Sequence, residues 1–221
     1  AQIVERARVD GIDIAIDLAG YTRYARPDAF AHRIAPLQAG YLGFPATLGA
    51  RYVDYAIVDR IVCPAGKEAN WTERLVRMPD TFMIADNTAA IDPAARDRKD
   101  FGLPAEGFVF CCLNGSSKID PLAFDVWMRL LRQVEGSALW LLGQGEIAQR
   151  NLCREAAARG VDPRRLVFAP FLSAHAGHVA RYRLADLFLD TRYYNAHTTA
   201  VDALWSGLPV LTVPGEEMPS R

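Results

Sequence analysis

The chain has 221 residues, enough for one large or two small domains with cores of their own. Its formal net charge is −1 and 51% of it is hydrophobic, so no nucleic-acid surface and no polybasic membrane patch is expected. No apolar run approaches the roughly 20 residues of a membrane helix, and no charged-then-apolar signal peptide opens the chain.

In chain order, "AQIVERARVD" reads as the back half of a helix. "GIDIAIDLAG" alternates, is β-branched and reads as a strand closed by Gly20. "ARPDAFAHRIAP" is a helix between two prolines. "LQAGYLGF", "VDYAIVD" and "ERLVRMP" are strands. Residues 80–100 are polar and irregular and read as a linker. After them "FVFCCL" is a strand. The loop "NGSSKID" follows it, and Asp120 can cap a helix with Pro121 at its first position. In that helix Leu122, Val126, Leu130 and Val134 recur every four residues and are expected on one apolar face. "SALWLLG" is a strand, and "EIAQRNLCREAAARG" is a helix ended by Gly160. "RLVFAPF", "ADLFLD" and "LPVLTVPG" are strands alternating with the helices "SAHAGHVARYRL" and "TTAVDALWSG". Trp127, Trp140 and Trp205 stand among aliphatic residues and read as core.

Unbroken alternation of strand and helix predicts an α/β fold with a mostly parallel sheet. Strands written as continuous apolar runs fit a sheet covered on both faces. Ligands in such sheets bind outside the carboxyl ends of the strands. Three loops there carry unusual polar content: "NGSSKID", "APFLSAHAGH" and "TRYYNAHTT"; a fourth, "GQGE", has paired glycines. No GxGxxG follows the first strand and no GxxxxGK[ST] occurs. Cys63, Cys111, Cys112 and Cys153 lack CxxC spacing. They fit reduced, buried thiols of a cytoplasmic protein better than disulfides or zinc. "NWT" at Asn70 matches a glycosylation acceptor and reads as chance without a secretion signal.

Four constellations could carry chemistry. If Thr198 caps its helix, the free N–H groups of the first turn and the hydroxyls of Thr198 and Thr199 form an anion site. Asp202 lies one turn on and suits a hydroxyl pair such as a ribose. The plainer reading is a capped helix with a solvated aspartate. Lys118 in "NGSSKID" can neutralise a leaving diphosphate without a metal, or be a surface lysine. His178 and Arg181 share a helix face and can hold a base edge or a phosphate, or be solvated. Asp10 and Asp17 flank the first long strand, where a carboxylate could act as a base or only bond backbone.

These stretches, with "LAGYTRYARPDAFAHRIAPLQAGYLGFPATLGA", "CCLNGSSKIDPLAFDVW" and the run "HTTxxDxLWxGxPxxTxPGE", resemble the catalytic region of O-linked N-acetylglucosamine transferases, bacterial homologues in particular. The resemblance covers nearly the whole chain, with motifs in the same order. It implies a GT-B architecture of two Rossmann-like domains with parallel sheets, both incomplete here. Residues 1–85 would be the C-terminal part of the acceptor-side domain, 86–100 a linker and 101–221 the domain that binds a UDP-sugar. It further implies inverting, metal-independent transfer of N-acetylglucosamine from UDP-N-acetylglucosamine to Ser or Thr of protein or peptide acceptors, with no cofactor. By motif, Thr198 and Thr199 are similar to diphosphate ligands, Asp202 to a ribose ligand and His197 to a contact beside the phosphates. Lys118 is similar to the lysine that stabilises the leaving group, and His178 and Arg181 to residues that hold uridine. Asn114 is counted with the donor-site residues, and Asp10 aligns with an aspartate given a base's role.

Departures from the pattern are as informative. Gly115 stands where the family usually has Gln or Asn. Tyr194 replaces a smaller residue near the sugar's N-acetyl pocket. The loop before His178, which holds His175, is one residue longer than in animal members. No counterpart of the family's active-site histidine in its first catalytic segment is present, nor are its tetratricopeptide repeats. The chain is therefore expected to be an internal fragment without full activity, with repeats N-terminal to it in the parent. Two further readings stand beside this one: a relative using another sugar nucleotide such as GDP-fucose, and a non-catalytic nucleotide-binding scaffold.

Overall fold

A computed structural model describes residues 2–94, 96–143 and 145–221. Ala1 of the first expected helix, Ala95 of the expected linker and Gln144 of the "GQGE" loop lie outside the described residues. The chain divides into two compact units: residues 1–84 with 216–219 and 221, and residues 85–215 with 220.

The first unit runs α1 (Gln2–Val9), β1 (Ile14–Asp17), α2 (Pro27–Ala31), β2 (Leu37–Tyr41), β3 (Tyr55–Val58) and β4 (Arg74–Arg77). Its strands form a parallel sheet in the order β1-β2-β3-β4. One face is packed by Ala56, Val58, Val62, Cys63 and Phe82. Buried polar groups there are fully engaged. Gln38 bonds the Phe30 carbonyl and the Ile34 N–H, and Asp59 accepts from the N–H groups of Ile61, Val62 and Phe82. The strict alternation in β1 has a physical consequence. Ala15 and Asp17 turn inward while Ile14 and Ile16 are 59% and 47% exposed, so the sheet is not covered on both faces.

The second unit runs β5 (Val109–Cys112), α3 (Pro121–Gln133), β6 (Ala138–Leu142), α4 (Glu146–Ala158), β7 (Leu166–Ala169), α5 (His175–Arg181), β8 (Leu187–Leu189), α6 (Thr198–Ser206) and β9 (Val210–Leu211). All its strands are parallel, in the order β7-β6-β5-β8-β9. β5 and β6 are buried along their length, as their unbroken apolar runs require. The order reverses between β5 and β8. At such a switch point the connections leave in opposite directions and open a crevice at the carboxyl ends of the strands.

Asp120 caps α3, accepting from the N–H groups of Leu122 and Ala123 at 2.9 and 3.1 Å, with Pro121 in the first turn. The face that α3 buries differs from the expected row. Ala123, Phe124, Trp127, Met128 and Leu131 face the core, whereas Leu122 and Val126 are 52% and 42% exposed and only Leu130 and Val134 reach it in part. Four residues overshoot one turn of 3.6 by about 40°, so a strict spacing of four spirals away from the core. Trp127 and Trp140 are core as expected, but Trp205 is exposed and donates its indole N–H to the Ala89 carbonyl at 3.1 Å.

The segment read as a linker has specific attachments within the second unit. Arg98 donates to the Leu184 carbonyl and to Asp186, and the Asp92 N–H donates to the Ala176 carbonyl. The tail read as part of the second domain returns instead to the first unit, where Glu216 pairs with Lys67 at 3.1 Å.

The facing of α3 gives a direct stability test. Met128→Ala should cost about 2–5 kcal/mol in denaturant unfolding, as a buried large-to-small change. Leu122→Ala should stay within about 0.5 kcal/mol of wild type. The reverse ranking would mean that the row at spacing four is the core face.

Candidate functional site

The site is assembled from three loops at the carboxyl ends of β5, β7 and β8, and from the first turn of α6. Asp190, directly after β8, organises the last loop. One carboxylate oxygen accepts from the N–H groups of Thr191 and Ala196 at 2.8 and 2.7 Å, and the other from the Thr212 hydroxyl at 2.7 Å. Asn114, directly after β5, is 2% exposed. Its amide donates to Asp190 at 3.1 Å and to the Thr191 hydroxyl at 2.9 Å, and its carbonyl accepts from the Thr199 hydroxyl. Both polar atoms of the Asn114 side chain are thus engaged, and it braces the two loops against α6.

The start of α6 also differs by one position from expectation. His197, not Thr198, is the N-cap residue, and no side chain caps the helix. The His197 carbonyl accepts from Ala200 and Val201. Thr198 is exposed and Thr199 half-buried, with its hydroxyl committed to Asn114. A helix start left without a side-chain cap presents its first N–H groups, and the positive end of its dipole, to whatever anion enters.

Lys118 reaches this helix start from the β5 loop. Its ammonium donates to the Asn195 carbonyl at 3.0 Å and lies 4.0 Å from the ring centre of Tyr194. Burial lowers its pKa against a smaller opposing pull from Asp190. Tyr194 in turn stacks obliquely on His197, with ring centres 5.2 Å apart.

One turn into α6, Asp202 is 8% exposed and stands between two histidines of α5. His175 Nε2 is 3.0 Å from one of its oxygens and His178 Nε2 is 3.6 Å from the other. Burial works to raise the Asp202 pKa, but the hydrogen bonds from His178 and His175 outweigh it and hold the carboxyl below its usual range. Behind them Arg181 is 1% exposed and donates to the Pro170 carbonyl at 2.7 Å and to His178 Nδ1. With Nδ1 accepting, the neutral imidazole carries its proton on Nε2, on the side of Asp202. Arg181, expected beside His178, is buried against it and donates to its ring. His175, the nearer partner of Asp202, was not among the expected site residues.

Asp10 belongs to the first unit. It follows α1, is exposed and pairs with Arg6 at 2.8 Å. It precedes β1, at the amino edge of its sheet, so a base's role draws no support from its placement. Asp17, at the carboxyl end of β1, is buried and accepts from the N–H groups of Ala19 and Gly20 at 2.9 Å each, the backbone-bonding alternative for this residue.

Comparison with known proteins bears on the family and the fold. The model of glycosyl transferase family 41 matches residues 1–93 and 91–221. The chain is 40% identical over 217 residues to an Arabidopsis thaliana protein described as probable UDP-N-acetylglucosamine–peptide N-acetylglucosaminyltransferase SEC, covering 96% of this chain and 22% of that one. It is 30% identical over 331 residues to the Caenorhabditis elegans UDP-N-acetylglucosamine–peptide N-acetylglucosaminyltransferase, covering 98% and 28%. The chain therefore spans about a quarter of the length of these relatives. Among solved structures, a mutant of the Thermobaculum terrenum O-GlcNAc transferase superposes with a TM-score of 0.84 at 33% identity, covering 100% of this chain and 41% of that one. An Anabaena protein in complex with UDP and glucose shares the fold at a TM-score of 0.62 and 14% identity, covering 99% and 69%. Two α/β units with parallel sheets, the motifs around Lys118 and Thr198, and a family match over the whole chain lead to one conclusion: the chain belongs to glycosyl transferase family 41.

Proposed function

We propose that the second unit binds the UDP end of UDP-N-acetylglucosamine and that the enzyme containing this chain transfers N-acetylglucosamine to Ser or Thr hydroxyls of proteins, with inversion and without a metal. The observation that carries the reading is Lys118. It is a half-buried ammonium with no salt bridge to a carboxylate among the described residues, beside a helix start whose N-cap side chain makes no cap hydrogen bond. Such a place favours an anion, and a diphosphate is the anion that the relatives' sugar donor carries.

In this reading the acceptor hydroxyl oxygen attacks the anomeric carbon, the bond from that carbon to the diphosphate oxygen breaks, and the hydroxyl proton passes to solvent. Charge develops on the leaving UDP. Lys118, the first N–H groups of α6 and the Thr198 hydroxyl stabilise it there. Asp202 accepts from a ribose hydroxyl, with His175 and His178 holding its carboxylate in position. His178 offers its oriented ring to the uracil edge, and His197 stands beside the phosphates. The four free cysteines, three of them buried, support a reducing, cytoplasmic setting. No described helix is long and apolar enough to cross a membrane.

Calorimetry on the 221-residue chain tests the binding half of the proposal. UDP and UDP-N-acetylglucosamine should bind, GDP-fucose should bind far more weakly, and absence of any nucleotide binding would overturn the reading in favour of a scaffold. Asp202→Ala should weaken UDP binding by about 1–3 kcal/mol, the range for loss of a charged acceptor. Unchanged affinity would remove the ribose assignment. In the enzyme that contains this chain, Lys118→Ala should lower kcat by roughly a hundredfold to a thousandfold while thermal unfolding stays near wild type. A loss of transfer that only tracked a loss of folded protein would count against the electrostatic role.

A further inference from the structure

We infer that Tyr194 is a positioning residue for Lys118, its ring holding the ammonium at the mouth of α6 without cancelling its charge. The inference rests on the reading that Lys118 meets a diphosphate. A lysine ammonium has three N–H donors, and here one goes to the Asn195 carbonyl. The Tyr194 ring, 4.0 Å away, supplies the second attraction through its electron-rich face. A ring attracts a cation but carries no net charge, so the full positive charge stays available to an entering anion. A carboxylate in the same position would hold Lys118 equally well and repel the diphosphate.

The ring is itself held in place. The Thr191 hydroxyl donates to the Tyr194 carbonyl at 2.6 Å, and the Asn195 amide donates to the Thr191 carbonyl. The ring also leans on His197, the N-cap of α6, at 5.2 Å between centres and 37° between planes. Burial pushes the phenol pKa up, so the ring faces the ammonium as a neutral group. Tyr194 thus links the lysine and the helix start, the two positive elements of the site. A flexible four-carbon stem gives Lys118 many rotamers, and the ring removes most of them before any ligand arrives.

The test uses the 221-residue chain with two probes, UDP and uridine. Tyr194→Leu removes the aromatic face but keeps apolar bulk. It should weaken UDP binding about threefold to tenfold, the range for loss of one cation–π contact, and leave uridine binding within about twofold. Tyr194→Phe keeps the ring and should recover most of the UDP affinity. In a Lys118→Ala background, Tyr194→Leu should add no further loss, because its effect passes through the lysine. The side-chain ε-methylene protons of Lys118 should carry an upfield ring-current shift in wild type and in Tyr194→Phe that disappears in Tyr194→Leu. Equal UDP affinity in wild type and Tyr194→Leu would overturn the inference, as would an undiminished effect in the Lys118→Ala background. If UDP binds wild type no better than uridine, the diphosphate reading fails instead, and the ring-current shift then reports separately on the contact.

Discussion

A buried polar group must find partners, and at the reversal point of the five-stranded sheet the buried Asn114 finds the half-buried Asp190. Asn114 after β5 and Asp190 after β8 are joined at 3.1 Å, and between them they also bind Thr191, Ala196, Thr199 and Thr212. The loops at this end of the sheet are tied together by this pair. The β5 loop that ends in Lys118, the β8 loop that contains Tyr194 and the first turn of α6 are held by it from below. Neither residue needs to touch a ligand for the site to depend on it. A half-satisfied network at this point would leave buried donors and acceptors unmatched, at a cost of about 1–3 kcal/mol for each.

Above this brace, charge is distributed in a consistent way. Positive elements gather at the start of α6, where Lys118 meets the positive end of the helix dipole. One turn further, the carboxylate of Asp202 is flanked by two imidazoles. A positive end and a carboxylate thus stand one helical turn apart on α6. The buried Arg181 contributes at one remove. Its donation to His178 Nδ1 decides which imidazole nitrogen carries the proton.

Much of this was legible in the sequence, because alternation of apolar runs with capped helices is a local signal. Every expected strand and helix of the second unit is present, and Asp120 and Gly160 end their elements as their residue types suggest. What escaped the sequence is non-local. Leu122 and Val126 looked like core because spacing was counted in whole residues, whereas burial follows the 3.6-residue turn. Trp205 looked like core because it is large and apolar, yet its indole N–H has a partner at the surface. The burial of Asn114 and Arg181, and their bonds to neighbouring loops, could not be read from their positions in the sequence. Asp190 carried a signal that could have been read, an aspartate directly after a strand and before a polar loop.

The strand order has a consequence for how the site comes into being. β8 pairs with β5 although β6 and β7 and their helices lie between them in the chain, so this is a contact of high sequence separation. Such pairings form late, after the entropy of closing a long loop has been met. The β5 loop and the β8 loop cannot meet before that step, and a chain folded only as far as β7 has a lysine but no cradle. Any property that needs both loops in place is therefore a readout of completed folding. A nucleotide that binds only the finished arrangement draws the folding equilibrium toward it in proportion to the logarithm of its concentration.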